Sequence, residues 1–68
     1  MRTTVDDYTV ILRPVITEMG AGIHAEAFIP GDDGLKHNRR VFTDYTVKTQ
    51  RAMLRRVTYY LKYRDPGK

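Results

Sequence analysis

The 68-residue chain has no cysteine, no serine and no tryptophan. Without cysteine, neither a disulfide framework nor a thiolate metal site can brace the fold. Without serine or cysteine, the nucleophiles left for covalent catalysis are Thr, Lys and Asp. Long apolar runs are missing too. The longest are three residues, among them Val10–Leu12 and Ala27–Ile29, far short of the ~20 that span a bilayer. The N-terminus MRTTVDD sets acids where the apolar stretch of a secretory leader would run, so a cytoplasmic address and no membrane are expected.

Histidine is scarce as well. His24 and His37 are the only two, and they fall on separate elements, so no dyad for acid–base work near neutral pH forms. Asp32, Asp33 and His37 are the one set that could be drawn as metal ligands. A turn accounts for both aspartates, and nothing else in the spacing supports a site. A non-enzymatic chain with no cofactor and no metal is therefore expected.

What is present is charge, unevenly spread. Residues 1–34 hold two bases (Arg2, Arg13) and six acids (Asp6, Asp7, Glu18, Glu26, Asp32, Asp33), a net −4. Residues 35–68 hold ten bases against Asp44 and Asp65, a net +8. The asymmetry implies either an anionic partner for the second half or attraction between the halves. A chain this short buries only about 60% of its unfolded surface, so it is read as one small domain over 1–68, with 1–6 and 65–68 frayed. A homodimer would supply further burial.

Periodicity predicts the elements. In YTVILRPVIT, residues 8–17, Tyr8, Val10 and Leu12 share one face, and Thr9, Ile11 and Arg13 the other. Pro14 marks an edge or a bulge. In GIHAEAFI, residues 22–29, Ile23, Ala25, Ala27 and Ile29 oppose His24, Glu26 and Phe28. PGDDGLK is a turn. A third strand over roughly 37–43 sets Arg40 and Phe42 on one face and Arg39, Val41 and Thr43 on the other. Thr43, Asp44 and Thr46 suit an N-cap, and a helix over about 45–63 follows, halted by Pro66-Gly67. The fold class is α+β: a three-stranded antiparallel meander on one C-terminal amphipathic helix, order β-β-β-α. One helix covers one sheet face and leaves the other open.

At 100° per residue, Val47, Gln50, Leu54, Val57 and Leu61 span about 80° of the helix, with Met53 and Tyr60 beside them. Lys48, Arg51, Arg55 and Lys62 fall within about 60° on another flank, with Tyr59 and Tyr63 adjacent. No acid lies between Lys48 and Arg64, so no i,i+4 pair offsets them. Aligned cations beside tyrosines suit a phosphate backbone; they also suit a solvated helix face. Lys36, Arg39 and Arg40 form a second basic cluster, fit for phosphate or guanine contact or for protecting an edge strand. The outer sheet face is expected to carry Ile11, Arg13, His24, Glu26 and Phe28, of which Ile11 and Phe28 could anchor a protein partner or a second copy.

Gly31-Asp32-Asp33-Gly34, then Arg39-Arg40-Val41-Phe42-Thr43, then Ala52 give the run 29–61 a pattern that resembles the arm-binding domain of tyrosine recombinases and, more distantly, the plant AP2 domain. The resemblance implies DNA binding by the open sheet face in the major groove. By position it nominates Arg13, His24, Glu26, Lys36 and Arg40, with Arg39 the alternative to Arg40. The β-β-β-α order is also similar to small antitoxins of the HicB type and to compact phage proteins that bind host enzymes. The expected function is thus nucleic-acid binding, DNA first, through the third strand and the helix. The alternative is a modulator that binds and inhibits a host protein with an acidic surface.

Overall fold

Alternation of apolar and polar residues builds most of the molecule. In the computed structural model, which describes residues 1–31 and 39–64, β1 (Arg2–Val5), β2 (Tyr8–Thr17), β3 (Gly20–Phe28) and β4 (Arg40–Asp44) form one antiparallel sheet in that order. The helix α1 (Gln50–Tyr59) follows and runs on into a wider π-type turn over Tyr60–Arg64.

Register decides which side chains share a face. Val10 faces Ala27 and Leu12 faces Ala25 across β2 and β3; Ala25 then faces Phe42 on β4. These residues point toward the helix. Val10, Leu12, Ala25 and Ala27 are buried, and Met53, Val57 and Leu61 close over them from above. The two alanines keep the sheet surface low, so the helix packs closely over β2 and β3. Full burial of side chains such as Val10, Leu12 and Val57 contributes about 1.5–3 kcal/mol each. The opposite, outer face carries Arg2, Ile11, Glu26 and Val41 in one row and Arg13, His24 and Thr43 in the next.

The hairpins are tight. Asp6-Asp7 joins β1 to β2, with Asp6 in the left-handed region at φ 53°, a conformation aspartate tolerates better than most residues. Glu18-Met19 joins β2 to β3, and Gly20 takes φ 111° as pairing begins.

Two expectations are corrected, and a third resolves between its alternatives. The sheet has four strands, because residues 2–5 pair with β2 where a frayed end is expected. Arg-Thr-Thr-Val is too polar to show alternation, and its pairing with β2 supplies what its pattern lacks. Second, α1 begins at Gln50 rather than near 45. Thr43, Asp44 and Thr46 do not cap it; the Thr49 side chain accepts from the Ala52 N–H at 3.1 Å. Asp44 instead accepts from the Thr46 N–H and hydroxyl, a local turn that keeps residues 45–48 out of the helix. Third, Pro14 stands at an edge, one of its two expected places, and makes no bulge. It pairs in register with Ile23 inside β2, beyond the end of β1. The segment 32–38, with Lys36 and His37, and the residues 65–68, with Pro66 and Gly67, lie outside the described residues. Among the described residues, no helix is long and apolar enough to cross a membrane.

Candidate nucleic-acid interface

Two surfaces carry the residues singled out from sequence, and the sheet separates them. On the outer face, Arg13, His24, Glu26, Ile11 and Phe28 lie together as alternation requires. His24 Nδ1 and Thr43 Oγ1 share a hydrogen bond at 2.9 Å. Arg39 joins this face: its Nε donates to Glu26 Oε2 at 3.0 Å, and its guanidinium stands 5.8 Å from the Phe28 ring centroid. Arg40 does not; it pairs with Ala27 and so projects on the helix side. Between the two arginines, the outer-face position therefore goes to Arg39. The Arg39–Glu26 pair is neutral overall. Arg2 and Arg13 are exposed and make no ion pair among the described residues. Val41, more than half exposed at 56%, adds to the apolar surface begun by Ile11 and Phe28.

The helix presents the other surface. Arg51 and Arg55 are exposed, one turn apart, and form no ion pair among the described residues. Tyr59 and Tyr63 continue the same flank, with ring centroids 5.5 Å apart and planes tilted by 41°. Their exposures are 51% and 72%. A shallow groove beside them is lined by Arg55, Arg56, Tyr59 and Tyr60. Tyr60 turns inward enough to stack on Phe42, at 5.7 Å and 26°.

Two members of the predicted stripe leave it. Lys48 precedes the helix, because the helix starts late; it is exposed but not held on the flank. Lys62 lies in the π-type turn, which advances each residue less around the axis than an α-turn does. It therefore falls behind the stripe and swings toward the β1–β2 turn, where its Nζ comes 3.9 Å from Asp6 Oδ1. The contiguous flank is Arg51, Arg55, Tyr59 and Tyr63.

The ion pairs also show what the charge asymmetry does internally. Glu26–Arg39 and Asp6–Lys62 join the acidic half to the basic half. Arg56 Nη1 donates to Asp44 Oδ2 at 2.8 Å, tying α1 to β4. The Thr46 hydroxyl and N–H, with the Arg56 guanidinium, hold the Asp44 carboxyl below the usual carboxylate range. Arg51 and Arg55 remain outside these pairs.

Sequence reasoning assigned no role to Arg2, Arg56 or the Tyr60–Phe42 stack. Arg2 was hidden by the polar first strand. Arg56 was legible in principle, since Asp44 is the only acid of 35–64 that could reach the helix. Among the described residues, no three His, Asp or Glu side chains converge as metal ligands would. No family model, curated protein or solved structure matches the chain.

Proposed function

We propose that the chain is a small nucleic-acid-binding protein that grips phosphates with the outward flank of α1. One observation carries this reading: Arg51 and Arg55 stand exposed, without ion partners among the described residues, on a helix that contains no acid, beside two exposed tyrosines. Cations left unpaired have no ion pair to break when an anion arrives, and the guanidinium fork matches phosphate oxygens in geometry. Arg39, just before strand β4, is a poorer candidate, because Glu26 already occupies it. Binding fits the composition better than catalysis, since neither serine nor cysteine is present to act as nucleophile.

A salt titration of binding to a labelled duplex tests the reading. Each phosphate contact contributes a log–log slope of about −0.9. The variant Arg51→Ala with Arg55→Ala should lose most of the affinity and reduce the slope by about 1.8, one contact for each arginine. Arg13→Ala, on the far side of the sheet, should change neither by comparison. Failure of the wild-type chain to bind duplex or single strand at low salt would remove the proposal. The second reading, a protein partner docked on the outer face, would then take its place. Exposed Val41 in the same row as Ile11, one strand beyond Glu26, with Arg2 and Arg13 at hand for an acidic surface, favours that alternative.

A further inference from the structure

Cations alone do not explain the rest of this flank. Tyr59 and Tyr63 are large, flat and exposed, and neither hydroxyl makes a hydrogen bond among the described residues. Their rings lie close enough to hold each other in place at 5.5 Å, while the outer surface of Tyr63 stays bare. Arg55 lies one helical turn before Tyr59, so two cations run directly into two ring surfaces along one flank: Arg51, Arg55, Tyr59, Tyr63.

We infer that this flank takes single-stranded nucleic acid in preference to duplex, with unpaired bases stacking on Tyr59 and Tyr63 while Arg51 and Arg55 hold the flanking phosphates. The inference rests on the nucleic-acid reading above and narrows it. In a duplex, the faces of the bases are covered by their neighbours, and a tyrosine can reach only an edge or a phosphate. In a single strand each base offers a free face, and stacking on an aromatic ring is tolerant of sequence. Arg55 lines the same groove as Tyr59 and Tyr60, so a phosphate held by it lies next to the ring surface. The chemistry recognised is an unpaired base on a phosphodiester chain, whichever sugar carries it.

Fluorescence anisotropy with labelled twelve-residue oligothymidylate, oligouridylate and a duplex of equal length reads the preference directly. The wild-type chain should bind the single strands about tenfold more tightly than the duplex, within the range that stacking of one or two bases supplies. Tyr59→Leu with Tyr63→Leu should lose about tenfold on the single strands and nothing on the duplex. Tyr59→Phe with Tyr63→Phe keeps the rings without the hydroxyls and should bind single strands as the wild type does. With no tryptophan in the chain, tyrosine emission is the intrinsic signal, and unlabelled oligothymidylate should quench it less in the Leu variant.

Equal affinity for duplex and single strand, or a Leu variant that binds single strands unchanged, would overturn the stacking inference and leave phosphate gripping by the arginines intact. Loss of single-strand binding in the Phe variant would overturn it as well, since the hydroxyls would then be the contact. A wild-type chain that binds none of the three probes would overturn both readings together.

Discussion

Gly22 has no side chain because there is no room for one. A Cβ built there would lie 2.7 Å from Tyr45 Cδ1 and 2.8 Å from the Asp44 carbonyl oxygen. The ring of Tyr45 lies across this gap, and its phenolic oxygen accepts a hydrogen bond from the Thr17 hydroxyl at 3.1 Å. Tyr45 thus fills the space that a side chain at position 22 would otherwise occupy, as aromatics do over glycines in sheets. Gly22 has no positive φ, so space and not backbone strain is the constraint. Gly22→Ala should cost about 1–3 kcal/mol, as overpacking does, read from the shift of the urea unfolding midpoint. An unshifted midpoint would mean that Tyr45 moves aside without cost.

At the scale of elements, the helix owes its position to a narrow line of residues. Met53, Val57 and Leu61 are buried, whereas Leu54 lies at the rim, half-buried. The late start at Gln50 leaves the choice of buried face to packing on β2 and β3, and Met53 wins the central place. Met53→Ala should therefore destabilise by about 2–5 kcal/mol, and Leu54→Ala by distinctly less. Thermal unfolding of the two variants side by side checks the order, and a larger loss at Leu54 would contradict the packing described. Much of this scale was readable beforehand. The faces of β2 and β3 followed from alternation, because one face of each must meet the helix; in β4 alternation grouped Arg40 with Phe42 but left open which group faces outward, and Arg40, preferred for the open face, lies on the helix side. The start of the helix was not readable, because Thr43, Asp44, Thr46 and Thr49 all have the side-chain oxygen a cap requires. The turn of Asp44 with Thr46, backed by the contact of Asp44 with Arg56, decides among them. The basic flank was half readable: Arg51, Arg55 and Tyr59 hold their expected places, while Lys48 and Lys62 depend on the helix start and on the π-type turn, neither of which has a sequence signature here.

For the molecule as a whole, electrostatics joins layers as well as halves. Asp44 on β4 receives Arg56 from α1, so one carboxylate links sheet to helix. Its pKa is lowered in the folded chain from an ordinary value of 3.8, chiefly by the Thr46 hydroxyl. A lowered folded-state value means that the unfolded chain takes up the proton first as pH falls. The stabilisation is then complete above the ordinary value and disappears as pH drops through the lowered one. Wild-type stability should fall below about pH 4, and Asp44→Asn should be less stable at neutral pH with a flatter acid limb. Urea midpoints measured from pH 7 to pH 2.5 give both curves, and parallel curves would exclude Asp44 as a source of the slope.

Pro14 has a consequence for β1 that reaches beyond its own position. The Leu12 N–H points toward β1, donating to the Met1 carbonyl at 2.8 Å. Two residues along, the nitrogen of Pro14 points the same way and has no hydrogen to give. β1 is polar enough that apolar patterning would fix its alignment only weakly. A slip of β1 toward Thr17 would set a strand carbonyl opposite that proline and forfeit a rung. A slip the other way would draw Val5 off Tyr8. The proline thus works as an end-stop that backs the register set by the two-residue Asp6-Asp7 turn: a residue that makes no bond to β1 opposes its sliding.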